Sequence, residues 1–335
     1  MTLRKPFASL YSLLFCGLFF VLNRPNSSMK KTLLTSLLFL GVISLGLAQI
    51  KGECMPDTLN QKRYKNLWKS MLGAYIGSYT GLAYTWYQGY AWTPFHTFND
   101  NAEWLQIDKA GHAYTSYNQS AYGYNAMRWA GVSKKKALWL GGTWGIILQT
   151  PIEVIDGLNE GYGFSIPDEI ANVSGSALFI IQQALWDEQI IKMKFSYSPT
   201  RYPPYNPKRL GWNWPGSIPK DYNGHTYWLS MNLDRALGGH TKLPKWLNLS
   251  VGYGIDGAVM PFDNPITGYY GQNLIAEGVV RKSQYYLSFD IDLRKIKTKN
   301  RTIRRLLDSA NLLKIPAPTL EWNPTDKFKF HGIYF

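Results

Sequence analysis

The feature that most constrains this chain is a change of hydrophobic period partway along it. Four long uncharged segments, Ser70 to Tyr87, Ala110 to Met127, Ala137 to Ile152 and Asn172 to Trp186, carry apolar residues at helical spacing. Further on, the spacing drops to two. Leu247, Leu249, Val251, Tyr253 and Ile255 alternate with Asn248, Ser250, Gly252 and Gly254, and Tyr285, Leu287, Phe289, Ile291 and Leu293 alternate with Ser288, Asp290, Asp292 and Arg294. Tyr227, Leu229, Met231 and Leu233 form a third such face. A 3.6-residue period followed by a period of two predicts an α+β chain. It would be a four-helix up-down bundle followed by a β-rich antiparallel tail of half-buried strands, with one short basic helix near Thr302 to Leu313. Gly73, Gly77 and Gly81 share one face of the first helix and predict a close helix contact there.

The first 48 residues read as a leader. Met29-Lys30-Lys31, the apolar stretch Thr32 to Leu47 and the small-residue end Gly46-Leu47-Ala48 follow the three-part pattern of a secretory signal peptide over 29–48. The earlier apolar run, Phe7 to Leu22, fits an over-extended start with Met29 as initiator. As an anchor it is short for a membrane span. Neither Cys16, after Phe15, nor Cys54, after Glu53, sits where a lipidated cysteine ends such a run, and one mature cysteine allows no internal disulfide.

Charge divides the remainder. Residues 49–191 hold 10 basic and 12 acidic groups, and residues 192–335 hold 21 and 10. The expected organisation is therefore a leader (1–48), a helical domain (49–191) and a basic β-rich region (192–335). Nucleic acid is a poor partner for an exported chain despite the net charge of +14. The expected partner is a membrane surface or an anionic envelope polymer. Four or five strands are too few for a closed barrel of eight or more. Phe335 is a terminal aromatic, but the alternate residues Ile333, His331, Lys329 and Lys327 do not make an apolar face.

Chemistry-bearing residues gather at helix ends. Asp108 and His112 lie one turn apart at the start of the second helix, Glu153 and Asp156 close the third, and Asp168 and Asn172 open the fourth behind Ser165, a candidate N-cap. In an up-down arrangement these ends share a pole. Acidic residues at helix starts complement the helix dipole, which accounts for Asp108 and Asp168 but not for Glu153 and Asp156. One imidazole among several carboxylates suits a divalent cation or acid/base chemistry, giving Asp108, His112, Glu153, Asp156 and Asp168 as candidate metal ligands. His112, Glu153 and Asp156 are the candidate catalytic groups. A structural polar network including Lys109, Ser165 and Asn172 is the alternative. His96, His225, His240 and His331 lack ligand spacing, and Asp290, Asp292 and Arg294 read as a solvated strand face.

The series Asp108-Lys109-x-x-His112, Glu153 and Phe164-Ser165-x-x-Asp168-x-x-x-Asn172-x-x-Gly175 resembles the motifs of VanZ-like proteins. It is more similar to those of the YfiM-like predicted periplasmic lipoproteins of unknown function. The VanZ resemblance implies a membrane four-helix module linked to glycopeptide tolerance. It covers residues 105–180 and brings no established catalytic assignment. The expectation is an exported cell-envelope protein, periplasmic and membrane-associated, with the outer-membrane side open. Its basic tail would contact anionic envelope components. The alternative is a metal-dependent or acid/base enzyme acting on an envelope lipid or cell-wall precursor.

Overall fold

The structure is a computed structural model that describes residues 58–335 apart from 88–89, 212–213 and 266–267. The leader, its signal peptide and Cys54 lie outside the described residues. Helix α1 spans Gln61–Trp86, α2 Ile107–Trp129, α3 Lys134–Gly142, α4 Trp144–Asp156 and α5 Ile166–Trp186. Strands β1 (Ile191–Tyr197), β2 (His225–Asn232), β3 (Leu247–Asp256), β4 (Lys282–Ile291), β5 (Ala317–Asn323) and β6 (Lys327–Tyr334) follow. Helix α6 (Gly268–Ala276) lies between β3 and β4, and α7 (Arg301–Ala310) between β4 and β5.

The four-helix up-down bundle is overturned. The uncharged segment from Ala137 to Ile152 is two helices, broken at Thr143 (φ −91°, ψ 2°) after Gly141-Gly142. The helices instead gather on α2, where small residues let backbones meet. A Cβ on Gly145 would strike Ser116 of α2 and Ser176 of α5, and one on Gly175 would strike the carbonyl of Ala113. The α1 stripe does not serve this purpose, because Gly73 and Gly77 face open space. Helix α1 is tied to the rest by Tyr79, whose hydroxyl donates to the Leu148 carbonyl (2.7 Å), and by Trp68 against Trp144.

Entry to α2 is unusual. Trp104, Leu105 and Gln106 all occupy the left-handed region, with φ of 46°, 51° and 65°. Three consecutive non-glycine residues there persist only when their surroundings fix them. Trp104 donates its N–H to the Pro261 carbonyl (2.6 Å), and the Tyr253 hydroxyl of β3 donates to the Leu105 carbonyl. The sheet thus sets the direction in which α2 begins.

The six strands form one antiparallel meander in chain order. It curls strongly. Lys192 and Lys194 of β1 reach Asp292 (2.7 Å), just past β4, and Asp290 of β4 (2.7 Å), and Tyr334 of β6 meets Tyr286 of β4 (2.7 Å) and Thr226 of β2 (3.3 Å). The outer edge of β1 is bridged at Phe195 by Leu312 and Lys314.

The expected sidedness of the strands is reversed. Asn248, Ser250, Ser288, Asp290, Thr319 and Glu321 are buried on the concave side, whereas Val251, Leu287 and Phe289 are exposed on the convex side. The enclosed space is filled by Trp228 packed on Tyr286 and Tyr334 and by a hydrogen-bonded network, with Ser230 donating to Asp290 (2.6 Å), Asn248 to Ser230 (2.9 Å) and Thr319 to Ser288 (2.9 Å). Asp290 and Asp292 are therefore not a solvated face. Both are fully enclosed and paired with lysines.

Candidate functional site

The site lies where the start of α2, the end of α4 and the start of α5 meet. Ser165 caps α5 by accepting from the Asp168 N–H (3.0 Å), and Pro167 in the first turn lacks the N–H that position would leave unpaired. This fixes Asp168 at the mouth of the helix and Asn172 one turn inside. Glu153 ends α4, and its carboxylate accepts from the Ser165 N–H (3.3 Å). Close contact of Gly145 and Gly175 with α2 holds all three termini together.

His112 stands at the centre. Its Nδ1 lies 3.1 Å from Oδ1 of Asn172, whose amide in turn donates through Nδ2 to Glu169 (3.3 Å). With Oδ1 the accepting end, the imidazole carries its proton on Nδ1 when neutral, and the Nε2 lone pair faces the other way. There it meets Glu153 Oε1 at 3.8 Å and Asp168 Oδ2 at 3.9 Å. These separations are too long for hydrogen bonds. The three ligand atoms all lie within 4.8 Å of one another. An ion equidistant from them would sit about 2.2–2.5 Å from each, a few tenths of an ångström from zinc–ligand lengths.

A second group surrounds Lys109, whose Nζ lies 2.5 Å from Asp100, 3.1 Å from Asp108 and 3.1 Å from Asp168. Asp100 also accepts from the Ser165 hydroxyl (2.7 Å). A fixed ammonium therefore occupies the space among these three carboxylates. Asp156 is turned away, accepting from the Tyr87 hydroxyl (2.6 Å). The structure thus brings His112, Glu153 and Asp168 together, puts Asp108 on Lys109, and sets Asp156 beside Tyr87.

Negative charge exceeds positive, and burial magnifies this. Burial first, then Asp168 and Asp156, push Glu153 up to about 9, so it holds a proton at neutral pH. Burial pushes Asp156 up to about 6 against the pull of Tyr87 and His112. Asp168 is also raised, by burial first, against the attraction of His112. Lys109 stays protonated despite burial because Asp108, Asp100 and Asp168 surround it.

Sequence reasoning missed Asp100 and Tyr87. Asp100 arrives on an irregular segment that pairs with 157–164 through Phe98 N–H to the Phe164 carbonyl (3.0 Å) and Phe164 N–H to the His96 carbonyl (3.0 Å). No helical or strand period marks such a residue. Also unforeseen is the hydroxyl chain behind the site, with Ser116 and Ser120 of α2 at 2.8 and 2.9 Å from Ser176 of α5.

Residues 96–184, just over a quarter of the chain, match the family described as predicted periplasmic lipoprotein (DUF2279). The match contains His112, Glu153, Asp168 and Asn172, and supports an exported protein of the cell envelope. The VanZ-like part of the resemblance gains no support, and among the described residues no helix is long and apolar enough to cross a membrane. Neither a curated protein nor a solved structure matches the chain.

Proposed function

We propose that this envelope protein is built around a transition-metal dication held by His112, Glu153 and Asp168. The observation that carries the reading is the orientation of His112. Asn172 commits Nδ1 to donating, so the Nε2 lone pair faces carboxyl oxygens of Glu153 and Asp168 at 3.8 and 3.9 Å, too far for either to hydrogen-bond to it. One imidazole and two carboxylates suit Zn²⁺ or Mn²⁺ better than Ca²⁺ or Mg²⁺, which favour all-oxygen shells. Donation of the other ring nitrogen to a carbonyl oxygen is the outer-shell arrangement that metal-bound histidines use.

Such a centre supports acid/base turnover of an envelope lipid or cell-wall precursor. Asp156, with a pKa near 6 and in contact with Tyr87, is poised to exchange a proton close to neutral pH. A basic C-terminal region favours an anionic envelope surface as the working location. Helix α7 places Arg301, Arg304 and Arg305 beside the exposed side chains of Ile303 and Leu306.

The test is metal analysis of the purified full chain after equilibration with Zn²⁺ or Mn²⁺. One dication per chain is expected in the wild type and none in His112→Ala. The reading fails if the wild type retains no dication, or if His112→Ala retains as much as the wild type.

A further inference from the structure

The register of the sheet aligns its convex side chains into rows. One row is aliphatic over most of its length: Met193, Leu229, Val251, Leu287, Leu320 and Phe330 are direct partners across β1 to β6. The next row is entirely aromatic: Phe195, Tyr227, Tyr253, Tyr285, Trp322 and Phe328. Tyr253 and Tyr285 have ring centroids 5.4 Å apart, and Tyr285 and Trp322 5.5 Å. On the other side of the aliphatic row lie Met231, Leu249 and Phe289. Towards β1 the aromatic row is covered by helix α2, where Tyr114 packs on both Phe195 and Tyr227. The aliphatic row is open from β3 and the aromatic row from β4, past Tyr253, which packs against Leu105; Val251 is 51%, Leu287 45%, Phe289 53% and Phe330 69% exposed.

We propose that the convex face of β2–β6 is seated among the acyl chains of one leaflet of an envelope bilayer, with the Tyr285–Trp322 row at headgroup level. Three observations select lipid as the occupant. The polarity is inverted along the aliphatic row, with a hydroxyl row of Ser230, Ser250, Ser288 and Thr319 enclosed behind it. A protein in water has no reason to enclose its serines and expose its leucines, whereas a lipid-facing strand has. Secondly, an aliphatic band bordered by Tyr and Trp matches the depth profile of a bilayer, hydrocarbon next to an amphipathic interface. Thirdly, the face is convex, since its strands curl around the β1–β4 ion pairs. A rigid second copy meeting it back to back would touch along a narrow line, while fluid acyl chains conform to it.

Helix α5 likewise leaves Ile170, Val173, Ile181 and Leu185 exposed, while Asn172, Ser176 and Gln182 are enclosed beside Phe179. The three rows cover four residue steps, about 13 Å along a strand. That is less than half of a hydrocarbon core of about 30 Å, so the seat is one leaflet deep. The inference goes beyond the cation centre and stands independently of it.

Because the leader carries apolar runs of its own, the test must report from the sheet. In a Cys16→Ser, Cys54→Ser background of the full chain, an environment-sensitive fluorophore is attached at Leu287→Cys, Phe330→Cys or, as reference, Lys62→Cys. The probe is vesicles of phosphatidylethanolamine and phosphatidylglycerol, with nitroxides on the acyl chains or iodide in the water as quenchers. The expected result is a blue shift and acyl-chain quenching at 287 and 330, with loss of iodide quenching. Position 62 should stay open to iodide, and the pattern should persist in 1 M NaCl. Quenching at 287 and 330 by iodide alone in the presence of vesicles overturns the proposal. So does protection of both positions without vesicles in a chain that sediments as a dimer, which would make a second copy the occupant.

Discussion

Glu153→Gln separates the two things this carboxyl does, and its effect can be worked from its surroundings. In the folded protein without a bound cation Glu153 is protonated up to a pH of about 9, whereas in the unfolded chain it ionises near 4.5. The folded state therefore binds more protons across this window. The contribution is fully present below pH 4.5 and is lost as pH rises towards 9. At pH 7 the unfolded chain has gained 2.5 pH units of ionisation, about 3 kcal/mol at 1.36 kcal/mol per unit. Glutamine mimics the protonated acid and cannot ionise in either state. In EDTA at pH 7 the variant should thus be more stable than the wild type by about 2–3 kcal/mol, or roughly 3–5 °C in Tm for a chain of this size. With Zn²⁺ added the order should reverse, because the wild type gains binding free energy and the variant lacks an anionic ligand. Thermal unfolding from pH 5 to 9, with EDTA and with Zn²⁺, tests both halves. A variant less stable than the wild type in EDTA at pH 7, or a wild type whose stability rises with pH across this range, refutes the reasoning.

Three further outcomes follow from the geometry. Asn172→Leu removes the acceptor that fixes the His112 tautomer, and should weaken dication binding 10- to 100-fold by calorimetric titration. Lys194→Met leaves the enclosed Asp290 without its counter-ion and should cost about 3–5 kcal/mol in chemical denaturation, most of it recovered by Lys194→Met/Asp290→Asn; a double variant no better than the single contradicts this. Gly145→Ala drives a methyl group into Ser116 and Ser176, and should destabilise by about 1–3 kcal/mol while lowering dication affinity, since α4 carries Glu153. Affinity unchanged in Gly145→Ala would show that the packing does not position the site.

Proximity at the site was legible because it depends on helix ends. The one-turn spacing of Asp108 and His112, and Ser165 placed three before Asp168, fix where those side chains leave their helices. What no spacing carries is which group each one meets. Asp156 shares a helix face with Glu153 and yet turns to Tyr87, and Lys109, read as part of a network, occupies the space among three carboxylates. The break at Thr143 escaped notice because Gly141-Gly142 leaves the apolar pattern running on either side of it. The alternation of Leu249, Val251 and Tyr253 marked β3, but a period of two is unchanged by turning the strand over. Which side is enclosed is decided by the lysines of β1 reaching across to β4, a contact spanning about a hundred residues. The same ambiguity applied to β6, where Phe328, Phe330 and Ile333 are the exposed apolar residues and a register shift opposite Ala317 and Thr319 breaks the alternation counted back from Phe335.

The inverted sheet also constrains how this chain can reach its native state. Ordinary strands collapse because joining them removes apolar side chains from water. Here β3 and β4 on joining enclose Asn248, Ser250, Ser288 and Asp290 and leave Val251, Leu287 and Phe289 wet. Collapse in water therefore favours the wrong side of each strand, and the ladder of a flat, apolar-faced intermediate invites pairing with other chains. The order of events must run through the ion pairs or through an apolar surface that takes up the outer face as it forms. Diluted alone from denaturant, the chain is expected to aggregate, and to do so less when an apolar surface such as a bilayer is supplied during refolding.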